Sequence, residues 1–149
     1  MNTGTMRTLF WWRWLVVVTI GVMLFGISMV LAPGLVLQAF SLLFYSSLQH
    51  ISSFGEPAVA YITLSHGVLG AVMFGWGAAL IYVLFGSFRG GNMQGWQTLT
   101  ISLSAWFVPD TLFSLWTGFW QNAVLNLVFA VLFAIPLAAT YKAFRMKRT

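Results

Sequence analysis

Apolar residues run along this chain in four long blocks broken by short polar interruptions, and each block has the length of a bilayer crossing. A spanning helix needs about 20 predominantly apolar residues. The blocks predict spans at about 11–31, 58–85, 96–119 and 120–141. Arg13 stands in the opening turn of the first and Pro33 just past its end, where a proline ends a helix. Its apolar core is too long for a secretory h-region, and "MVLAPG" offers no small-x-small cleavage site, so the pattern predicts an uncleaved anchor. "FRGGNMQG" (88–95) predicts a loop between spans two and three. Spans three and four meet so closely near Thr117-Gly118 that they must form an antiparallel hairpin.

Between the first two spans the periodicity changes. In "GLVLQAFSLLFYSSLQHISSF" (34–54), Leu37, Phe40, Phe44, Leu48 and Ile51 recur at helical spacing, with Gln38, Ser41, Gln49 and Ser52 on the other side. That pattern predicts an amphipathic helix over about 35–53, lying at the membrane interface, with His50 facing water. Its polar side lacks lysines, so a lid over the bundle fits as well as a lipid anchor. The predicted fold is therefore an all-α membrane protein: an antiparallel bundle of four transmembrane helices with one interfacial helix, in a single integral membrane domain of residues 1–149 with a basic tail at 142–149.

Composition sharpens this picture. Of 149 residues, 60% are apolar and 6% charged, against about a quarter charged in soluble domains. A soluble domain of this size has too much surface for its volume to hide so much apolar area. The chain has no cysteine, which excludes disulfides, thiolate metal sites and cysteine nucleophiles. The net charge is +5, but the basic residues Arg7, Arg13, Arg89, Lys142, Arg145, Lys147 and Arg148 lie between or beyond the apolar blocks. No basic stripe interleaves with a polar surface, so nucleic acid is not the expected partner. Four spans would put all seven on one side and leave Glu56 on the other, and the positive-inside rule then places both termini in the cytoplasm. Trp11, Trp12, Trp14 and Trp96 would mark the inner interface, Trp116 and Trp120 the outer.

Against this apolar background a few polar side chains stand out. At about 1.5 Å per helical residue, His66 and Asp110 both fall about 12 Å below the outer surface, and Asn126 about 9 Å. Asn122 and Ser114, one turn away, extend the layer outward. Pro109 cannot donate to the carbonyl of Ala105, which predicts a kink and a polar notch beside Asp110, open to a donor such as His66. Groups this deep must find partners inside the bundle. Two readings of the layer follow. It fixes helix pairing through interhelical hydrogen bonds, or it holds a ligand, relays protons or supplies an acid/base pair.

In the second span Gly67, Ala71, Gly75 and Ala79 recur every four residues, a groove that lets another helix or a flat ligand approach the backbone. His66 stands at its outer end, placed to serve as an axial ligand if that flat ligand were a tetrapyrrole. Trp76 and Trp106 fall in the inner half of the membrane, as core filling or cavity walls. No phosphate loop, paired-carboxylate site, zincin motif or metal-spaced ligand set is present, and no motif names a cofactor.

The proline-terminated first span, the amphipathic segment, the glycine-rich "HGVLGAVMFGWGAALIYVL" (66–84), "WFVPDTLFSL" (106–115) and "NAVLNLVF" (122–129) together resemble small four-helix bacterial membrane proteins of the DoxX-like kind. The resemblance implies a four-helix bundle in a bacterial inner membrane and a role in redox physiology or as a subunit of an oxidoreductase, and it carries over no catalytic residue. The leading expectation is a non-catalytic accessory or interaction subunit of a larger membrane assembly, packed against other subunits or copies of itself. An alternative is a binding protein for a quinone, lipid or tetrapyrrole held by His66 and Asp110. An enzyme using the same residues as acid and base on a lipid-like substrate ranks behind both, since the chain has no nucleophile motif.

Overall fold

The computed structural model describes residues 3–146, and their side chains from residue 8 onward. Lys147 and Arg148, part of the expected basic tail, lie outside the described residues, as does the side chain of Arg7. Every regular element among the described residues is helical: α1 (Thr3–Leu31), α2 (Pro33–Tyr45), a 3-10 turn (Ile51–Phe54), α3 (Glu56–Val83) continuing into a π turn (Leu84–Phe88), α4 (Met93–Trp116) and α5 (Trp120–Met146). Three helical stretches are long and apolar enough to cross a membrane, Thr8–Leu31, Glu56–Phe88 and Trp120–Met146, which is the mark of an integral membrane protein. The expected third span, α4, has 24 residues but is not among them. Gln94, Gln97, Pro109, Asp110 and a run of Ser and Thr make it the most polar of the long helices.

The chain forms two compact units, one of Met1–Ile20 with Ala79–Thr149 and one of Gly21–Ala78. In the first, α4 and α5 make the expected antiparallel hairpin. Trp96 near the start of α4 lies against Leu137 and Tyr141 near the end of α5. Thr111 and Asp110, late in α4, meet Asn126 and Asn122 early in α5. The turn closes at Thr117 and Gly118, whose φ of +85° only glycine adopts without strain. The N–H of Phe119 donates to the carbonyl of Ser114 at 2.8 Å, so α4 stops at Trp116 rather than 119. Buried positions of α5 recur as Ala123, Asn126, Ala130, Phe133, Leu137, Thr140 and Phe144, alternately three and four apart. That spacing keeps one face on a neighbour over the whole helix. It also carries α5 past the expected end at 141, because Phe144 is buried against Phe88.

In the second unit α1 and α3 cross at glycines. A Cβ on Gly26 would lie 2.7 Å from the carbonyl oxygen of Gly70 and 3.0 Å from Cβ of Met73. A Cβ on Gly70 would strike the Gly26 carbonyl and Cβ of Met29, and one on Gly77 would strike Met23. The face of α3 used here is thus Gly70 and Gly77, not the stripe of Gly67, Ala71, Gly75 and Ala79.

The segment expected as one interfacial helix over 35–53 is two elements. Pro33 opens α2 in its first turn, and α2 ends at Ser46, which takes the left-handed conformation (φ 56°) and donates its N–H to the carbonyl of Leu42. The break has a local cause in Ser41, expected on the polar side but buried. Its hydroxyl donates to the carbonyl of Ser47 at 2.6 Å and accepts from the N–H of Ile51 at 3.1 Å. One side chain satisfies both sides of the turn and tucks Ile51 into the core, where a continuing helix would leave those groups to one another. His50 is exposed as expected, stacked on Tyr45 with ring centroids 4.3 Å apart.

Candidate functional site

The acid late in α4 is held from its C-terminal side. Helical spacing places Ser114 one turn after Asp110, and the Thr117-Gly118 reversal brings Asn122 alongside both. The Asn122 amide donates to Ser114 Oγ at 2.8 Å and to Asp110 Oδ1 at 3.1 Å. Ser114 has one proton, and its shortest acceptor is the backbone carbonyl of Asp110 at 2.7 Å, with Asp110 Oδ1 farther off at 3.3 Å. Ser114 is buried, and Asp110 and Asn122 are half-buried. One turn deeper, the buried Asn126 donates to Thr111 Oγ1 at 3.4 Å, a long second tie between the same helices.

Of the five polar residues singled out from the sequence, four therefore gather on the α4–α5 hairpin: Asp110, Ser114, Asn122 and Asn126. Thr111 joins them and was not anticipated. Only its position beside Asp110, reflected through the turn, marks it as a neighbour of Asn126. α4 runs through Pro109 without interruption, and the partners of Asp110 come from Ser114 and α5.

The chemistry of this cluster is that of a clasp. Its serine hydroxyl has the Asp110 backbone carbonyl as its nearer acceptor and the Asp110 carboxyl oxygen as its farther one. The Asn122 amide that reaches both Ser114 and Asp110 belongs to the facing helix, so it ties α4 to α5 beside the acid.

His66 belongs to the other unit. Its Nδ1 lies 2.8 Å from the carbonyl oxygen of Ile62, one turn back on α3. A carbonyl only accepts, so Nδ1 carries the proton, and in the neutral ring the lone pair is on Nε2. The ring is half-buried and packs against Phe40 of α2 at 4.8 Å between centroids. Phe40 in turn stacks on Phe44 at 5.5 Å. An imidazole fixed through Nδ1 presents Nε2 in a defined direction, as orienting backbone contacts do for ligating histidines.

Beside it, the predicted groove is open. A Cβ added to Gly67 or Gly75 would meet nothing within 4 Å, and Ala71 and, in the first unit, Ala79 are exposed. Tyr61, Leu64, Val68 and Val72 on α3 are exposed as well.

Three indoles in the first unit also serve a role the sequence did not reveal. Trp12, Trp14 and Trp96 donate through Nε1 to the carbonyls of Leu84, Leu132 and Leu137 at 2.8, 3.0 and 2.8 Å. Leu132 is four residues before Pro136, which has no N–H to offer that carbonyl, so the Trp14 indole replaces the missing helical donor. A Pro four residues after an apolar position is the available signal, but nothing in sequence says which Trp will answer it. Comparison with protein-family models, with curated proteins and with solved structures gave no match.

Proposed function

We propose that this chain is a four-span inner-membrane protein of the DoxX-like kind that acts as a non-catalytic accessory subunit, docking in a larger membrane assembly through α3. One observation carries the reading: the chain has two sets of small residues on the same membrane-length helix and uses only one of them internally. Gly70 and Gly77 are filled by α1 residues, whereas Gly67 and Gly75 open onto empty space beside exposed Ala71. Without a hydrophobic force between helices in lipid, close backbone approach at small residues is a main source of association.

The antiparallel pairing of α4 with α5 supports α4 as the fourth span, since two helices packed from Trp96–Tyr141 to Asp110–Asn122 share one environment. Composition overstates its polarity. Thr100, Ser104, Ser114 and Thr117 each donate to the carbonyl four residues back, at 2.7–2.9 Å, so their hydroxyls need nothing from the surroundings. With four spans, the described cations Arg13, Arg89, Lys142 and Arg145 share the cytoplasmic side with both termini. The self-satisfied clasp at Asp110 supports a structural use of that layer over a catalytic one.

Native mass spectrometry on protein extracted gently from its own membranes tests this. A complex well above 16.6 kDa, lost when Gly67 and Gly75 are both replaced by Leu, is the expected result, and a bare monomer in every mild detergent overturns it. A second reading rests on the oriented His66: a tetrapyrrole or quinone in the open groove, ligated or hydrogen-bonded through Nε2. It requires a small bound mass that His66→Ala removes.

A further inference from the structure

The first unit gathers its positive charge around one preorganised group. Trp12 is held by its indole bond to Leu84 and by edge-on packing against Phe85 at 5.1 Å between centroids. Over the Trp12 ring sits the guanidinium of Arg89, with Cζ 4.7 Å from the centroid. The π turn makes this register: the N–H of Arg89 donates to the carbonyl of Leu84, five residues back, at 3.1 Å. The contact is a cation over a ring face, and a guanidinium has five N–H donors to offer elsewhere. Among the described residues Arg89 makes no ion pair. Phe88, its neighbour, packs against Phe144 with ring centroids 4.7 Å apart, which brings exposed Lys142 and Arg145 of α5 to the same end, and exposed Arg13 follows Trp12. Asp110 is far along the hairpin, about 21 Å from Trp96 by helical rise.

We propose that this end binds the phosphodiester of an anionic phospholipid, with Arg89 as the direct ligand and Arg13, Lys142 and Arg145 supplying attraction around it. The planar fork of Arg89 matches two phosphate oxygens. The tryptophans fix the depth, because indoles at the ends of membrane-length helices sit at headgroup level. The indole N–H groups of Trp12, Trp14 and Trp96 are spent on backbone carbonyls and that of Trp11 is buried, which leaves exposed Arg89 as the donor for a headgroup. At that depth the abundant anion is lipid phosphate.

This inference rests on the membrane reading, and one experiment separates the two. The full chain is reconstituted into phosphatidylcholine vesicles with and without phosphatidylglycerol. Failure to float with alkaline-washed vesicles defeats the membrane reading itself. Protein that inserts is then offered equal amounts of the two lipids in detergent, and native mass spectrometry counts the lipids retained. Phosphatidylglycerol is expected to be retained about fivefold over phosphatidylcholine. Arg89→Ala should remove most of that preference, and Arg89→Lys should restore only part of it. Equal retention of the two lipids, a lysine variant that matches wild type, or displacement of the lipid by inorganic phosphate would each overturn the proposal.

Discussion

Asp110 shows how one reversal of the chain provides partners for an acidic side chain. Its nearest partners are a serine one turn on and an asparagine that the Gly118 turn returns to its side, so the clasp is local in sequence as well as in space. Replacing Asn122 by Ala removes both interhelical bonds and leaves the buried Ser114 hydroxyl without that donor. The expected loss is about 1–2 kcal/mol in reversible unfolding in detergent. Combining Asn122→Ala with Ser114→Ala should cost less than the sum of the two, because they break a shared bond; strict additivity would show that the clasp is not a coupled unit. Asp110, Ser114, Asn122 and Asn126 were legible because helical spacing and a tight hairpin suffice to place them. His66 was legible as a polar group within an apolar helix, but its partners were not. The carbonyl of Ile62 is a backbone atom that any helix offers, and Phe40 comes from a segment whose path depends on the fold of the turn after α2.

At the scale of elements, the sequence marks α3 as rich in small residues and does not say which of its faces meets α1. Small-residue stripes at 67, 71, 75, 79 and at 70, 77 are both at helical spacing. What selects the second within the chain is Gly26, which lets the two backbones touch. Gly70→Ala should therefore destabilise the protein by about 1–3 kcal/mol by overpacking. Gly75→Ala should be neutral or stabilise it by up to about 1 kcal/mol through helix propensity. Equal effects at the two sites in thermal melts would contradict the crossing described. The Trp14–Pro136 pair gives a second test. Trp14→Phe should cost about 1 kcal/mol in the native background. It should cost much less in a Pro136→Ala background, where Leu132 regains a helical donor; an unchanged cost would show that the indole does not serve that carbonyl. The failed expectation of one helix over 35–53 belongs here too. Apolar periodicity continued through Leu48 and Ile51, but Ser41 offered the backbone a better set of bonds than the next helical turn.

For the whole molecule the four-span reading turns on α4 crossing the bilayer, and the absence of cysteine makes that directly measurable. Single cysteines at Gly90 and Thr117 flank α4. If it spans, a membrane-impermeant maleimide applied to intact cells should label one and not the other, with residue 117 reacting from outside. Labelling of both from the same side would reduce the topology to three spans and separate the termini across the membrane. The cation distribution favours the first outcome, because it then needs no positive residue on the outer side.

By itself the sequence determined that the chain is helical and built for a membrane, roughly where its long helices lie, and which polar residues had to be accommodated in α4 and α5. Those features follow from apolar block length, proline and glycine punctuation and short-range spacing, all of them properties of a few neighbouring residues. Only the tertiary structure decided that Gly70 and not Gly75 meets α1, that Ser41 is buried, that Phe144 extends α5, and that Trp14 serves the carbonyl freed by Pro136. Each of these depends on which side chain arrives from elsewhere in the chain. In an apolar sequence many faces are equally suited to burial, so the choice falls to packing and to the few backbone groups that must find a donor.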